Sequence, residues 1–297
     1  SGATLTGTDS GVATKTVAAV GGIATFSGLG KYGQVGSVTL TAASGSLTSA
    51  TQTFNLTFGA AYQVALTAPA TAASGAALST QPVATIQDRD GNTVTTANQT
   101  VTLTSADSTI SGTTSMAAAS GVANFSGKGV TLTGTTGTKT LTATVSTLGF
   151  TNSAFIALGA GAAHHLTLTQ QVAGFVNRAD FTTQPIVEIR DAQNNVVTSS
   201  TDNVVVSISG ATLTGNLTVA AVNGVATFTG LGKYGTIGSK QLTFSSGSLT
   251  TATQTFTLTF GAAYKLSGVV PNNTINDQVF ATQPVVTIQD RDGNTVT

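Results

Sequence analysis

The 297 residues carry eleven basic and eleven acidic side chains, so 7% of the chain is charged, against about a quarter in ordinary globular proteins. A net charge of zero removes the electrostatic case for nucleic acid or an anionic membrane surface, and 40% hydrophobic content argues against disorder. Cysteine is absent, which excludes disulfides and thiolate metal sites; Thr, Ser or Gly interrupts every apolar run before the ~18 residues a spanning helix needs.

In chain order, the first recurring pattern is Gly-(Val/Ile)-Ala-x-Phe at 22–26, which returns at 121–125 and 224–228. Gly-Leu-Gly-Lys-Tyr-Gly at 28–33 marks a glycine-rich turn before a strand and recurs at 230–235. Phe54, Leu56 and Phe58 then alternate with Thr53, Asn55 and Thr57, the period of a strand with one buried face. A joint follows at Gly59-Ala60-Ala61-Tyr62, repeated as Gly161-Ala162-Ala163-His164 and Gly261-Ala262-Ala263-Tyr264. Expected last strands (Phe54–Phe58, Phe155–Leu158, Phe256–Phe260) lead almost directly through these joints into the next first strand.

Beyond each joint, Gln-Pro at 81–82, 184–185 and 283–284 opens a strand. Its inward pair is Ala84/Ile86, Val187/Ile189 or Val286/Ile288; the outward pair is Thr85/Gln87, Glu188/Arg190 or Thr287/Gln289. DRDGN at 88–92 and 290–294 reads as a hairpin turn whose glycine takes a positive φ, and DAQNN at 191–195 puts Asn194 in that slot. Leu141, Ala143 and Val145, then Val204, Val206 and Ile208, continue the alternation, and no segment shows a helical stripe.

Residues 16–95 return at 218–297 at a constant offset of 202, identical at 52 of 80 positions, and half that period is visible in the shared motifs. A unit of about a hundred residues is thus tandemly repeated. The expected division is a C-terminal part of one unit at 1–60, complete units at 61–160 and 161–262, and an N-terminal part at 263–297. Short joints predict end-to-end packing with little hinge freedom.

Gln-Pro-(Val/Ile)-x-x-Ile-x-Asp-x-x-(Gly/Asn)-Asn-x-Val, followed by Gly-(Val/Ile)-Ala-x-Phe and a glycine-rich turn, resembles bacterial immunoglobulin-like repeats of invasin- and intimin-like surface proteins. The resemblance covers essentially the whole chain. It implies an all-β fold of tandem immunoglobulin-like Greek-key β-sandwiches arranged end to end, and an extracellular or bacterial cell-surface location.

Candidate sites are few. Asp88, Asp90 and Asn92, with Asp290, Asp292 and Asn294, could offer oxygens to Ca²⁺, but three oxygens fall short of the six to eight it takes, and Asp and Asn favour such turns anyway. Turn chemistry is the preferred reading, with no cofactor. His164 and His165, at the start of a first strand, are expected on opposite faces and cannot share a metal. Tyr32 and Tyr234 read as corner residues rather than a sugar platform, since no tryptophan accompanies them. Lysines 31, 128, 139, 233, 240 and 265 read as turn or outward residues, and Glu188 as outward, which argues against Lys crosslinks beside a buried acid. Gly28-x-Gly30-x-x-Gly33 has no helix after it, and no acid pair or nucleophile–base set is present, so an enzyme is not expected.

The expected function is a structural segment of a bacterial extracellular filament, stalk or sheath; the alternative is an adhesive module for a glycan or a cell-surface receptor. Its partners would be other copies of itself or the continuation of the same polymer, without nucleic acid or membrane insertion. Half-sandwiches at 1–60 and 263–297 cannot bury their inward faces alone. Either the sequence is a window on a longer polymer, or Ala263–Thr297 of one copy meets Ser1–Ala60 of the next. The window is favoured, because nothing matches the strand at Asn98–Thr104.

Overall fold

The computed structural model describes residues 2–7, 15–271 and 275–297; among these there are strands, turns and loops and no helix. The chain divides into two compact units, Ser1–Leu158 and Gly159–Thr297.

In the first unit Val83–Gln87 lies between Gln63–Thr67 and Val122–Asn124 in a three-stranded sheet. A five-stranded sheet runs Ser115–Ala117, Thr100–Thr104, Gly137–Val145, Phe150–Gly159, Thr71–Ala73. Alternation along the strands turns Val64, Ala84, Ile86 and Ala123 of one sheet and Leu103, Leu141, Ala143, Val145 and Ile156 of the other into a single buried layer. Val83–Gln87 pairs with Val122–Asn124 rather than with the next long strand, Thr100–Thr104. That crossing between sheets is the connectivity of an immunoglobulin-like sandwich.

The second unit repeats the plan. Ile186–Arg190 lies between His165–Gln170 and Val225–Thr227, while Thr218–Ala220, Asn203–Ser209, Gly238–Ser245 and Ala252–Leu258 form the facing sheet. Leu166, Val187, Ile189 and Phe228 pack with Val204, Val206, Leu242, Phe244 and Leu258.

Each repeated motif has a packing task. Gln81 accepts from the Val130 amide at 2.7 Å and donates to the Leu78 and Val130 carbonyls; Gln184 does the same with Leu231 and Phe181. One side chain thereby satisfies backbone groups that would otherwise be stranded at the sheet margin. The carbonyls of Pro82 and Pro185 accept from the amides of the buried Phe125 and Phe228. The glycine of Gly-(Val/Ile)-Ala-x-Phe is required by close approach: a Cβ on Gly224 would lie 2.5 Å from the Val197 carbonyl oxygen, at φ +77.

The turn residues take left-handed conformations, with φ 84 at Gly91, 63 at Asn194 and 85 at Gly293. Their amides donate to Asp88, Asp191 and Asp290. The Asn194 side chain also lies 3.0 Å from His165 Nε2.

The flanking pieces depart from the expectations. Lys15–Ala18, Gly2–Gly7, Gly36–Ala43 and Ala50–Leu56 form a four-stranded sheet in that order. Gly2–Gly7 pairs with Leu40–Ala43, whose counterparts Leu242–Ser245 pair with Val205–Ile208. Gly2–Gly7 therefore fills the strand position for which the sequence shows no match. At the other end Lys265–Val269 and Val285–Gln289 form a separate hairpin. Val286 and Ile288, expected to face inward, are 59% and 49% exposed, because no second sheet covers them among the described residues. The expected last strands also end earlier or begin sooner: they run Ala50–Leu56, Phe150–Gly159 and Ala252–Leu258.

Replacing Asn194 with Val should lower stability by about 1–2 kcal/mol, since a β-branched side chain resists the left-handed region. Asn194→Gly should be near neutral. Urea unfolding of both variants checks the conformational origin of the loss.

Candidate functional site

The Asp turns do more than reverse the chain. Asp88 is buried, and its Oδ1 accepts from the amides of Asp90 at 3.0 Å and Asn92 at 2.9 Å, closing the turn on itself. Its Oδ2 accepts from the amide of Gly59 in the preceding joint at 2.9 Å. Asn92 is aimed the same way: Oδ1 accepts from Val35 N at 3.0 Å and Nδ2 donates to Gly33 O at 2.9 Å. Asp90 accepts from Gly33 N at 3.3 Å, and its carbonyl accepts from Gln34 Nε2. The turn is a clasp that holds the joint and the glycine-rich loop before it.

The clasp recurs. Asp191 Oδ2 accepts from Gly161 N at 2.7 Å while Oδ1 holds the amides of Gln193 and Asn195. Asp290 accepts from Gly261 N at 3.0 Å, and Asn294 spans Ile237 N and Gly235 O at 3.0 Å each. Here a strap is added. Asn177 Nδ2 donates to Asp290 at 2.8 Å and to Asp292 at 2.7 Å, while its Oδ1 accepts from Gly235 N. Arg178 grips Asp292 through Nε and one terminal nitrogen and lies 4.8 Å over the Tyr234 ring.

These contacts set the electrostatics. Burial opposes ionisation of Asp88, Asp191 and Asp290, but the hydrogen bonds outweigh it and hold all three carboxyls below the ordinary value. The Arg178 guanidinium holds Asp292 low as well. The oxygens considered for Ca²⁺ are thus filled by N–H donors, and among the described residues no group of three or more His, Cys, Asp or Glu is placed to hold a metal.

Other candidates fall elsewhere. His164 and His165 do not diverge as alternation predicts: their Nδ1 atoms lie 3.3 Å apart and the rings meet edge-on, because the strand begins only at His165. Tyr62 and Tyr264 carry Arg89 and Arg291 over their rings at 5.5 and 5.6 Å. Tyr234 lies within the short strand Gly232–Tyr234 rather than in a turn before one.

The lysines are not all outward. Lys139 and Lys240 are buried, and Lys233 is 1% exposed beneath the Phe181 ring. Lys233 Nζ donates to the carbonyls of Gly174, Ala179 and Asp180. Burial pushes its ammonium down to about 8, with Asp180 opposing. The motif around it pairs as a strand, so Lys233 occupies a core slot. Glu188 points outward as expected and pairs with Arg190.

Asn177 and Arg178 were not legible as site residues, since they sit in a short turn, and Lys233 was read as a turn residue although it lies in the strand Gly232–Tyr234. The clasp left one signal: the joint glycine and the turn aspartate are separated by 29, 30 and 29 residues in the three copies.

No family model matches this sequence, and no curated protein matches it. Solved structures do show similarity. The Escherichia coli adhesin FdeC aligns at 18% identity with a TM-score of 0.37, over 80% of this chain and 77% of that one. The D0–D1 domain of intimin aligns at 17% and 0.25, over 65% and 97%. A β-glycosidase from Bacteroides vulgatus aligns at 12% and 0.29, over 66% of this chain. The chain spans 24% of that glycosidase's length. At these scores the likeness carries no weight for function.

Stability should depend on acid in a defined direction. The folded-state pKa of each clasp aspartate is depressed, so its contribution is complete above the unfolded value near about 3.9 and is lost as pH falls through the lower folded value. The urea midpoint should hold from neutral pH to about 5 and drop below about 4. Asp290→Ala should remove about 2–3 kcal/mol at neutral pH and less in acid, because the orphaned amides remain buried. EDTA should leave the melting temperature of the parent chain unchanged; a fall of several degrees would return the turns to metal chemistry.

Proposed function

We propose that the chain is a structural segment of a bacterial extracellular filament, stalk or sheath. In this reading 1–60, 61–160, 161–262 and 263–297 are parts of immunoglobulin-like sandwiches set end to end, and in each repeat a turn aspartate holds the joint glycine before it. The observation that carries it is the recurrence of one bond, from joint glycine to turn aspartate, at Gly59/Asp88, Gly161/Asp191 and Gly261/Asp290.

A joint of three small residues has little steric stiffness of its own. Bending it stretches hydrogen bonds to a buried carboxylate, and an orphaned buried donor costs about 1–3 kcal/mol. Each clasp spends a charged side chain, in a chain that has only eleven acids, on holding neighbours together. The remaining surface of Thr, Ser, Asn and Gly suits close lateral packing, since burying it leaves no charge unpaired. The partners would be other copies or the continuation of the same polymer. The proposed role is mechanical.

Small-angle scattering of the 297-residue chain tests the reading. An elongated profile is expected, with each complete domain adding on the order of 30–40 Å. Asp88→Ala, Asp191→Ala and Asp290→Ala combined should broaden the long distances without unfolding either sandwich. A compact profile, or one indifferent to the triple variant, would overturn the rod.

A further inference from the structure

The repeat that carries Asp191 differs from the other two at three linked positions. Its joint runs into His164-His165 where theirs run into Tyr62-Gln63 and Tyr264-Lys265, and its turn has Asn194 where theirs have Gly91 and Gly293. In the fold these three side chains meet. The Nδ1 atoms of the histidines lie 3.3 Å apart, and His165 Nε2 lies 3.0 Å from Asn194 Oδ1. Alternation along a strand would have separated the pair. The strand begins only at His165, so the exposed His164 lies outside it and its ring meets the other edge-on.

The bond to Asn194 decides the chemistry of His165. An amide oxygen only accepts, so Nε2 carries the ring hydrogen and Nδ1 keeps its lone pair. That lone pair faces the Nδ1 of His164, which donates the one hydrogen between two neutral rings. The same spacing suits a metal ion. Two bonds of about 2.0–2.1 Å, the length of zinc–imidazole bonds, span 3.3 Å at an angle of about 107°, close to tetrahedral.

We infer that His164 and His165 bind Zn²⁺ through their Nδ1 atoms, with Asn194 holding His165 from the other nitrogen of its ring. The ion takes the place of the shared hydrogen, which moves to His164 Nε2, so two neutral rings lose no proton overall. Imidazole suits zinc and copper, whereas calcium takes oxygen ligands. Asn194 is a positioning residue: it fixes the tautomer and the orientation of a ligand ring without touching the ion. Its backbone takes the left-handed conformation that its counterparts meet with glycine, and the side chain uses that position to reach His165. The positive neighbour on the paired strand is Arg190, opposite His165. Glu188 accepts from its Nε at 2.9 Å and the Asn194 carbonyl from its Nη1 at 2.6 Å, so its charge is offset and its fork is engaged. Two protein ligands leave the remaining positions to water, and the ion exchanges instead of holding the fold.

Calorimetric titration of the full chain with ZnCl₂, after EDTA treatment and dialysis, tests this together with NMR of the imidazole side chains. One Zn²⁺ per chain is expected, and CaCl₂ should give no binding. Both histidine resonances should move with zinc and return with EDTA. His164→Ala should abolish binding; since His164 is exposed, circular dichroism should show the fold unchanged. Asn194→Gly keeps the turn and should weaken zinc binding about tenfold, and Asn194→Asp, which accepts the same hydrogen bond, should restore it. Zinc binding that survives His164→Ala overturns the site, as does a titration in which neither histidine resonance moves. Affinity unchanged in Asn194→Gly overturns the positioning role.

Discussion

A carboxylate shut inside a five-residue turn is the element on which the rest of the molecule depends. Desolvating an ion costs several kcal/mol, and among the described residues no basic side chain forms a salt bridge with Asp88 or Asp191. Amides offset it instead. Asp88 collects the backbone N–H groups of Asp90, Asn92 and Gly59, and Asp191 collects those of Gln193, Asn195 and Gly161. Charge-assisted bonds of this type are roughly twice as strong as neutral ones, and they leave the ion satisfied only when every donor is in place. The hairpin, the joint and the register of the next strand are thereby coupled: moving the joint glycine exposes the ion to a missing partner.

Alternate copies solve one local problem in two ways. In the first unit Ser74 Oγ accepts from the Gly134 amide at 3.0 Å, and Gly75 follows at φ 76. In the second, Asn177 accepts from Gly235, and Arg178 follows at φ 58. A non-glycine residue in that conformation costs on the order of 1 kcal/mol. The longer side chains use the position, reaching Asp290 and Asp292 where serine and glycine could not. The substitutions travel together, since the sequence has Asp at 292 in the copy after Arg178 and Gln at 193 in the copy after Gly75. Lys233 follows the same logic: its counterpart Leu132 fills the slot with carbon, whereas Lys233 also ties down three carbonyls.

The period-two pattern made the sandwich legible, because burial of one face imposes alternation on Ala84/Ile86 and Leu141/Ala143/Val145 that no other fold class needs. The positive φ of Gly91, Asn194 and Gly293 was legible for a similar reason, since few residues tolerate it. What the turn holds was not. The donors to Asp88 and Asp290 are backbone amides, which every residue possesses, so no residue type marks them; only the recurring distance to the joint does. Lys233 was misread because a charged residue between glycines resembles a turn, and only the tertiary carbonyl cage reverses that. The exposure of Val286 and Ile288 shows the converse limit: alternation says which face wants burial, and the facing sheet decides whether it is buried.

The clasp and the open hairpin bear on each other. A two-stranded hairpin is marginal in water. The Lys265–Gln289 hairpin is already fixed at its turn, where Asp290 holds Gly261 and Asn177, and Asn294 holds Gly235 and Ile237. Its turn end is therefore anchored, while Val286 and Ile288 stay exposed. The loop that leads into Gly36–Ala43 is tied in the same manner, through Gly33 and Val35 on Asn92. One device, a buried carboxylate with its amide donors, thus ties each joint glycine to the turn that follows it.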